Sequence, residues 1–532
     1  MQILGISCFY HDAAAAIEID GRLVAAASEE RFSRIKHDPE LPVNAVRYCL
    51  ERAGVAINDL DYIAFYDKPF TKFDRILVGY MAEPFRSARA FLTAMPIWLR
   101  RKLFTEYVIH KELDYDGDLL FVPHHLSHAA GTFYSSPFEK AAILTVDGVG
   151  EWATASYGVG DDTRVRLLRQ MNYPHSVGLL YSAFTYYLGF QVNSAEYKVM
   201  GLAPYGEPKY ADLIERELVR VFPDGSIHLN LKYFAYQHSL RMTGRRFEKL
   251  FGQPRREPES PTDNFHADIA ASIQAVTEKI VLAMAAHVRT ETGERDLCLA
   301  GGVALNCKAN GLLLQKHLFD RVYVQPAAGD AGGAVGACLY VEHKLNDTPR
   351  YEQPFFSLGP AFPDNDIRAF LDSHEIPYTA PVETDLVAAV ADALAEGKII
   401  AVYYGPMEFG PRALGFRSIL ADPRDNRMKE RINAAVKYRE PFRPFAPAVT
   451  AERVGEYFDC DGYSPYMLFN FTVHEEKRGL IPAVTHIDAS SRLQTVRRED
   501  NALLYDLLQA FEQKTGVPVL LNTSFNLRGH PI

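Results

Sequence analysis

Two stretches of this chain repeat one layout, and the repeat restricts the fold more than any other feature. Residues 2–7 form an apolar run, Cys8-Phe9-Tyr10-His11-Asp12 a turn ending in polar residues, and residues 13–19 and 23–28 a pair of runs about Asp20-Gly21. Asp-Gly between two such runs is a strong hairpin signal, so the unit reads as strand, turn, hairpin. The same order recurs at residues 142–147, then Gly148-Val149-Gly150, then residues 153–158 and 164–169. Two such units predict a duplicated α/β fold with a nucleotide cleft between its halves. His11 and Asp12 are then expected to face Asp147 across that cleft.

This layout is that of the actin-like ATPases and sugar kinases, an analogy of fold alone. Between the two units stands Val122-Pro123-His124-His125-Leu126-Ser127-His128. Residues 118–122 read as a strand, and Pro123 with the alanines after His128 marks a helix opening. His124 and His128 are four apart, so on a helix their imidazoles share a face and can share one metal ion. Capping a helix or packing in a polar core is the alternative for such a pair. Asp147 adds a carboxylate at a strand's end.

At 532 residues the chain exceeds one core, and two or three domains are expected. The polar, proline-rich stretch at 346–363 marks the boundary, giving domains 1–350 and 363–532. A net charge of −10 argues against a nucleic-acid partner, which needs a basic face. The six cysteines form no CxxC pair, which reads as reduced thiols in a cytoplasmic protein. No signal region and no membrane-spanning apolar run are read in the sequence. The charge-dense residues 29–38 read as a solvated face, and 70–104, with Trp98, Arg100 and Arg101, as a helical insertion rather than a membrane helix. Residues 174–190 read as a helix over the cleft, 254–261 as a surface loop, and 265–288 as a long core helix.

Leu297 to Gly311 runs from a buried strand through Gly301-Gly302 into a helix, and Pro326 to Ala334 repeats the pattern with Asp330. Glycine turns at helix starts suit phosphate, and two together favour nucleotide binding. Beyond the boundary, residues 366–373 and 385–397 read as helices and 399–404 as a strand. Then Gly410 to Arg424 and Lys437 to Pro447 set arginines among Gly, Pro and aromatics. Guanidinium forks suit phosphate and carboxylate oxygens; residues 486–492 and 521–526 are expected to close the same pocket.

With these blocks the sequence resembles the NodU/CmcH family of ATP-dependent O-carbamoyltransferases, which decorate antibiotics and nodulation-type signals. The resemblance runs through His11-Asp12, HHLSH at 124–128, EYKVMGLAPYG at 196–206, GGVALN at 301–306, AAGDAGGAVGA at 327–337, GPRALG at 410–415 and NTSFN at 522–526. It implies a duplicated actin-like (ASKHA/RNase H-like) N-terminal domain followed by an α+β YrdC-like domain. It also implies two steps: carbamoyl phosphate and ATP, with Mg2+, give a carbamoyl-adenylate, and a hydroxylated small-molecule acceptor then takes the carbamoyl group. By the same resemblance His124, His128, Asp147 and Asp330 hold a divalent ion, iron first, while the donor set also permits manganese or zinc. His11 or Asp12 is the base, Gly301, Gly302, Asn306 and Asn310 hold the adenylate, and Lys36 contacts its phosphate. Arg412, Arg417, Lys437, Arg443, Arg492, Asn522 and Ser524 are assigned to carbamoyl phosphate. Pro406 and Phe416 depart from the family pattern, and the end at residues 528–532 comes where the family continues, as in a truncated second domain. The rival readings are a small-molecule kinase on the same fold, a tRNA threonylcarbamoylation protein and a degenerate nucleotide-binding scaffold.

Overall fold

A computed structural model describes every residue except 347, 528 and 529, and leaves the side chains of 383 and 384 undescribed. The expected break at 528–532 therefore lies partly outside the described residues. The chain divides into two compact units, Met1–Gln353 and Pro354–Ile532.

The first unit is built on two sheets of one design. Strands β1 (Gln2–Ser7), β2 (Ala14–Ile19), β3 (Arg22–Ser28), β4 (Tyr62–Phe65) and β5 (Asp118–Phe121) lie in the order β3-β2-β1-β4-β5. The next strands are β6 (Lys140–Val146), β7 (Ala153–Asp161) and β8 (Arg164–Asn172). After a small ribbon of β9 (Val219–Val221) and β10 (Ile227–Leu229) come β11 (Asp296–Ala300) and β12 (Arg321–Val324). The second sheet is ordered β12-β11-β6-β7-β8, the same order read from the other end. In each, the first strand pairs antiparallel with its hairpin and parallel with the fourth. That is the duplicated actin-like architecture expected from the two hairpin units.

β1 and β6 sit centrally and are apolar on both faces, as strands covered on both sides must be. β8 is an edge strand and carries arginines on its exposed positions, which discourages pairing with another chain. Parallel neighbours need long crossovers. The one between β4 and β5 carries the insertion helices Pro69–Ala82 and Pro84–Arg100, each opened by a proline at its first turn.

The crossover from β6 to β11 contains the 29-residue helix Asn264–Thr292, opened by a capping box from Asp263 and closed by Gly293 in the left-handed region. It is long and apolar enough to cross a membrane, contrary to the expectation of no such run, but 67% of its most apolar window is buried in the protein. The six cysteines are free and buried.

Two helices meet backbone to backbone where the halves join. His124–Tyr134 and Ala331–Leu345 cross at Gly336, where an added Cβ would lie 1.7 Å from the Ser127 carbonyl oxygen. No residue with a side chain fits there. The close crossing brings Asp330, at the start of the second helix, up to the histidines of the first.

The second unit holds β13 (Ile400–Tyr403), β14 (Arg417–Ala421), β15 (Ala446–Thr450), β16 (Asn470–Thr472), β17 (Ser490–Arg492), β18 (Gln494–Val496) and β19 (Val519–Ser524). Five of them form a mixed sheet, β13-β14-β19-β15-β18, with β16 and β17 as a separate ribbon. Helices Glu383–Ala395 and Ala502–Thr515 pack on each other beside the sheet.

Candidate functional site

The first unit gathers four buried ligand groups at the ends of its strands. His124 and His128 lie on one face of a helix that follows β5, Asp147 follows β6, and Asp330 follows β12. The two histidine Nε2 atoms are 3.1 Å apart, and His124 Nε2 is 3.1 Å from Asp147 Oδ2. Asp330 Oδ1 lies 3.7 Å from both Nε2 atoms. A tetrahedron with bonds of about 2.1 Å has edges of about 3.4 Å, so these spacings fit one divalent ion. The charges fit as well, since two carboxylates with two neutral imidazoles leave a buried charge of −2. Burial alone would raise Asp147, but the His124 hydrogen bond and both imidazoles hold its carboxyl well below the usual range. Asp330 is lowered in the same way, against burial, by His11, His124 and His128.

The supports of this cluster come from elsewhere in the chain. Asp147 Oδ1 accepts the Gly302 N–H at 2.8 Å. The helix starting at His124 has no side-chain cap of its own; instead Glu151 Oε1 accepts the His124 N–H and the Lys68 N–H, each at 2.9 Å. Tyr66, just past β4, points its hydroxyl at Asp330 Oδ2, 3.5 Å away. Neither Glu151 nor Tyr66 was anticipated. Their only sequence signal is position, directly after a strand or a glycine turn.

His11 and Asp12 reach the cluster from the turn after β1. His11 Nε2 is 3.8 Å from Asp330 Oδ2, and its Nδ1 is 2.9 Å from Asp12 Oδ2. Burial works against a charged His11, yet Asp330 and Asp12 raise it to about 9. Asp12 is held in the left-handed region (φ 53°), and its second oxygen is 2.5 Å from His37 Nδ1. Both oxygens are thus committed to imidazoles. Burial opposes ionisation of Asp12, but those two hydrogen bonds carry it far below the usual range. His37 was missed because it sits in the charge-dense run 29–38. That run is not a solvated face throughout: Glu29 is buried and accepts the N–H groups of Asn44 and Ala45. Lys36 is exposed, 5.7 Å from the centre of the Tyr197 ring.

The glycine turns make close contacts within the fold. Gly301 has φ +87°, and a Cβ there would meet the Val146 oxygen at 2.3 Å, so the turn is shaped for close approach to β6. Gly302 gives its N–H to Asp147. Asn306 caps the helix Cys307–Gln315 and pairs with Gln274. Asn310 is fully buried and donates to the Ala304 carbonyl. Asn310 thus staples the turn. In the second glycine stretch Gly332 lies against the Ala327 carbonyl and the Gln325 side chain, and Gly333 against the Tyr66 ring.

In the second unit the expected anion set splits. Arg417 is 0% exposed, and its guanidinium donates to the carbonyls of Tyr404, Gly405, Phe416 and Pro360. Asn522 is buried and bonded to Ala413 and Gln494. Lys437 Nζ is taken by Ser524 O, Asn526 O and Asn526 Oδ1. These three residues hold the backbone together in this structure. Arg412, Arg443 and Arg492 are half-buried. Arg412 sits in the 410–415 turn, which Asn522 and Gln494 tie to β19 and β18 through the Ala413 and Leu414 carbonyls. Arg443 lies close enough to Lys437 to lower it, and Lys437 reaches Ser524 Oγ at 3.4 Å.

The family model described as "Carbamoyltransferase N-terminus" matches residues 2–339, and "Carbamoyltransferase C-terminus" matches residues 391–532. An uncharacterized protein of Synechocystis sp. is 49% identical over 100% of this chain and 92% of its own. Nodulation protein NolNO of Sinorhizobium fredii is 40% identical over 98% of this chain and 75% of its own. Nodulation protein U of Rhizobium tropici is 29% identical over 99% and 91%. Among solved structures, HypF of T. kodakarensis matches over 65% of this chain and 48% of its own at 14% identity, with a TM-score of 0.33. The fold assignment stands on the strand order alone.

Proposed function

The chain belongs to the carbamoyltransferase family, and on that premise we propose that its first unit transfers a carbamoyl group to an acceptor hydroxyl with His11 as the base. Carbamoyl phosphate and ATP are the donors. In the proposed sequence water converts carbamoyl phosphate to carbamate and phosphate, and a carbamate oxygen then bonds to the α-phosphorus of ATP as pyrophosphate leaves, so that carbamoyl-adenylate forms in the second unit, read as YrdC-like. The acceptor oxygen then bonds to the carbamoyl carbon, the bond to AMP breaks, and the hydroxyl proton passes to His11, which would be neutral once a divalent ion offset the Asp330 charge that raises it.

The observation that carries this reading is the placement of the His11–Asp12 pair beside the buried His2Asp2 cluster. Asp12 accepts from His11 Nδ1, which fixes the ring and leaves Nε2 on the side of Asp330. With both oxygens engaged, Asp12 orients and stabilises the imidazolium, and His11 moves the proton. His124, His128, Asp147 and Asp330 would hold the divalent ion, which when bound polarises the carbamoyl oxygen. We assign it as Fe2+, with Mn2+ and Zn2+ also suited to these donors. Arg412 and Arg443 are left as the carbamoyl phosphate contacts, with Arg492. The donors are cytoplasmic metabolites, and the free cysteines support that compartment.

The test incubates the protein with carbamoyl phosphate, ATP and a panel of hydroxylated small molecules. Pyrophosphate release together with an acceptor carbamate supports the proposal; ADP with a phosphorylated acceptor would make the chain a kinase instead.

A further inference from the structure

Beside the turn that carries His11, the insertion helices enclose a second feature. A cavity of about 140 Å3 lies between that turn and the helices Pro69–Ala82 and Pro84–Arg100. A cavity of about this size holds one six-membered ring. Its apolar walls are Phe9, Phe65, Ile76 and Trp98, and Tyr10, 39% exposed, stands at its rim.

The charges in this cavity do not balance. Lys72 pairs with Asp67 at 2.5 Å, which accounts for one cation and the one carboxylate of the lining. Arg75 and Lys102 also line it. Arg75 is 8% exposed, its Nε is buried without a hydrogen bond, and it makes no ion pair among the described residues. Its guanidinium stands 5.2 Å from the centre of the Tyr173 ring. The other carboxylate it feels, Glu151, has an oxygen committed to the Lys68 and His124 N–H groups. Lys102 rests over Trp98 at 5.5 Å, and burial and Lys72 both lower it. Three cations against one carboxylate leave a charge of +2 around an apolar space. A buried unpaired guanidinium is costly unless a ligand supplies its counter-charge.

The cavity adjoins the transfer site through two rings. Tyr10 at the rim lies 4.6 Å from the His11 ring, tilted 43° to it, and Lys72 lies 5.7 Å from the centre of the Tyr66 ring, whose hydroxyl faces Asp330. We propose that this cavity is the acceptor subsite, taking a single ring that bears an anionic group, with Arg75 and Lys102 as its specificity-determining residues. The word acceptor rests on the carbamoyltransferase reading; the preference for an anion does not.

Three matched probes test it on the full-length, metal-loaded protein: 4-(hydroxymethyl)benzoate, its amide, and 4-(hydroxymethyl)benzylamine. Calorimetry should find the benzoate bound about ten-fold or more tighter than the amide, and the amine weakest. Arg75→Gln should bring the benzoate down to the amide's level and leave the amide unchanged, with folding intact because an unpaired charge is removed. Lys102→Gln, at a less buried position, should reduce the preference too. Equal affinity for benzoate and amide in the wild type would overturn the inference, as would a preference untouched by both substitutions. Pyrophosphate release is read in the same samples and should be unaffected by either substitution. Release without the anion preference sinks the subsite alone; the preference without release keeps the anion site and removes the carbamoyltransferase reading.

Discussion

Glu151 should control the metal centre without touching it. Its Oε1 is the shared acceptor of two backbone N–H groups, His124 at the start of the metal-bearing helix and Lys68 after β4. Glu151→Ala leaves both without that acceptor. An orphaned buried N–H costs about 1–3 kcal/mol. Lys68 is exposed and water can replace its bond, so most of the loss falls on buried His124, and about 2–4 kcal/mol is expected in all. The first turn of the helix then loses its anchor, and ion affinity should fall about 10–100-fold, the usual effect of losing a group that orients a metal ligand. Glu151→Gln keeps an oxygen in the same place and loses only the negative charge at a helix start, about 0.3–1 kcal/mol. Its ion affinity should stay within about three-fold of wild type. Urea unfolding and chelator competition with Fe2+ or Mn2+ measure the two quantities. If Gln proved as damaging as Ala, charge rather than hydrogen bonding would be the anchor, and unchanged affinity in both would refute the reasoning.

Other substitutions separate the two steps and the two kinds of arginine. His11→Ala should abolish carbamate formation on the acceptor while pyrophosphate is still released; loss of both would remove His11 from the transfer step. Arg412→Ala should weaken carbamoyl phosphate by roughly one to two decades, on the scale of about 1.5–3 kcal/mol per charge-assisted bond, with unchanged affinity in calorimetry as the contrary result. Arg417→Met should instead cost at least about 3 kcal/mol of stability, because four carbonyls lose their donor; a stable variant that fails only in binding would restore Arg417 to the ligand set. Burial, then Arg439 and Arg443, pull Lys437 from 10.5 to about 7, so the unfolded chain binds the extra proton between those values. Stability should therefore rise with pH across that window, by at most about 1.4 kcal/mol per unit, with the cost complete below it; Lys437→Met should flatten the profile in urea titrations.

What the sequence made legible was local. Asp20-Gly21 between apolar runs gave the hairpin, the four-residue spacing gave His124 and His128 a common helix face, and Asp147 stood where a strand had to end. The misreadings share one cause: composition does not say what lies within 3 Å of a residue. A glycine that cradles phosphate and a glycine that admits another backbone look alike in sequence, and Gly336 is the second kind because Ser127, more than two hundred residues away, occupies the space. The arginine-rich stretch is ambiguous in the same way. Arg412 and Arg417 are five residues apart, yet Arg417 is fully buried among carbonyls while Arg412 is half-buried. Arg75 was invisible for the opposite reason, since an absent partner is a tertiary property.

The same distinction explains why the metal ligands could not be assembled from either half alone. The helix that follows β5 leaves its own sheet and packs on β6 and β11, with Thr132 bonded to the Leu299 carbonyl. The helix that follows Asp330 returns the other way and lies on β1, so closely that a Cβ on Gly5 would stand 1.9 Å from the Ala334 oxygen. Each half thus gives a helix to the sheet of the other, and the ligands sit at the starts of those two helices and at the end of β6. Strand ends from both sheets meet at this point: His11 after β1, Tyr66 after β4, His124 after β5, Asp147 after β6, Gly302 after β11 and Asp330 after β12. An ion held there would bridge the exchanged helices. Its affinity therefore measures how well the halves are joined as well as the donor set, which is why a backbone anchor such as Glu151 matters to it without supplying a ligand.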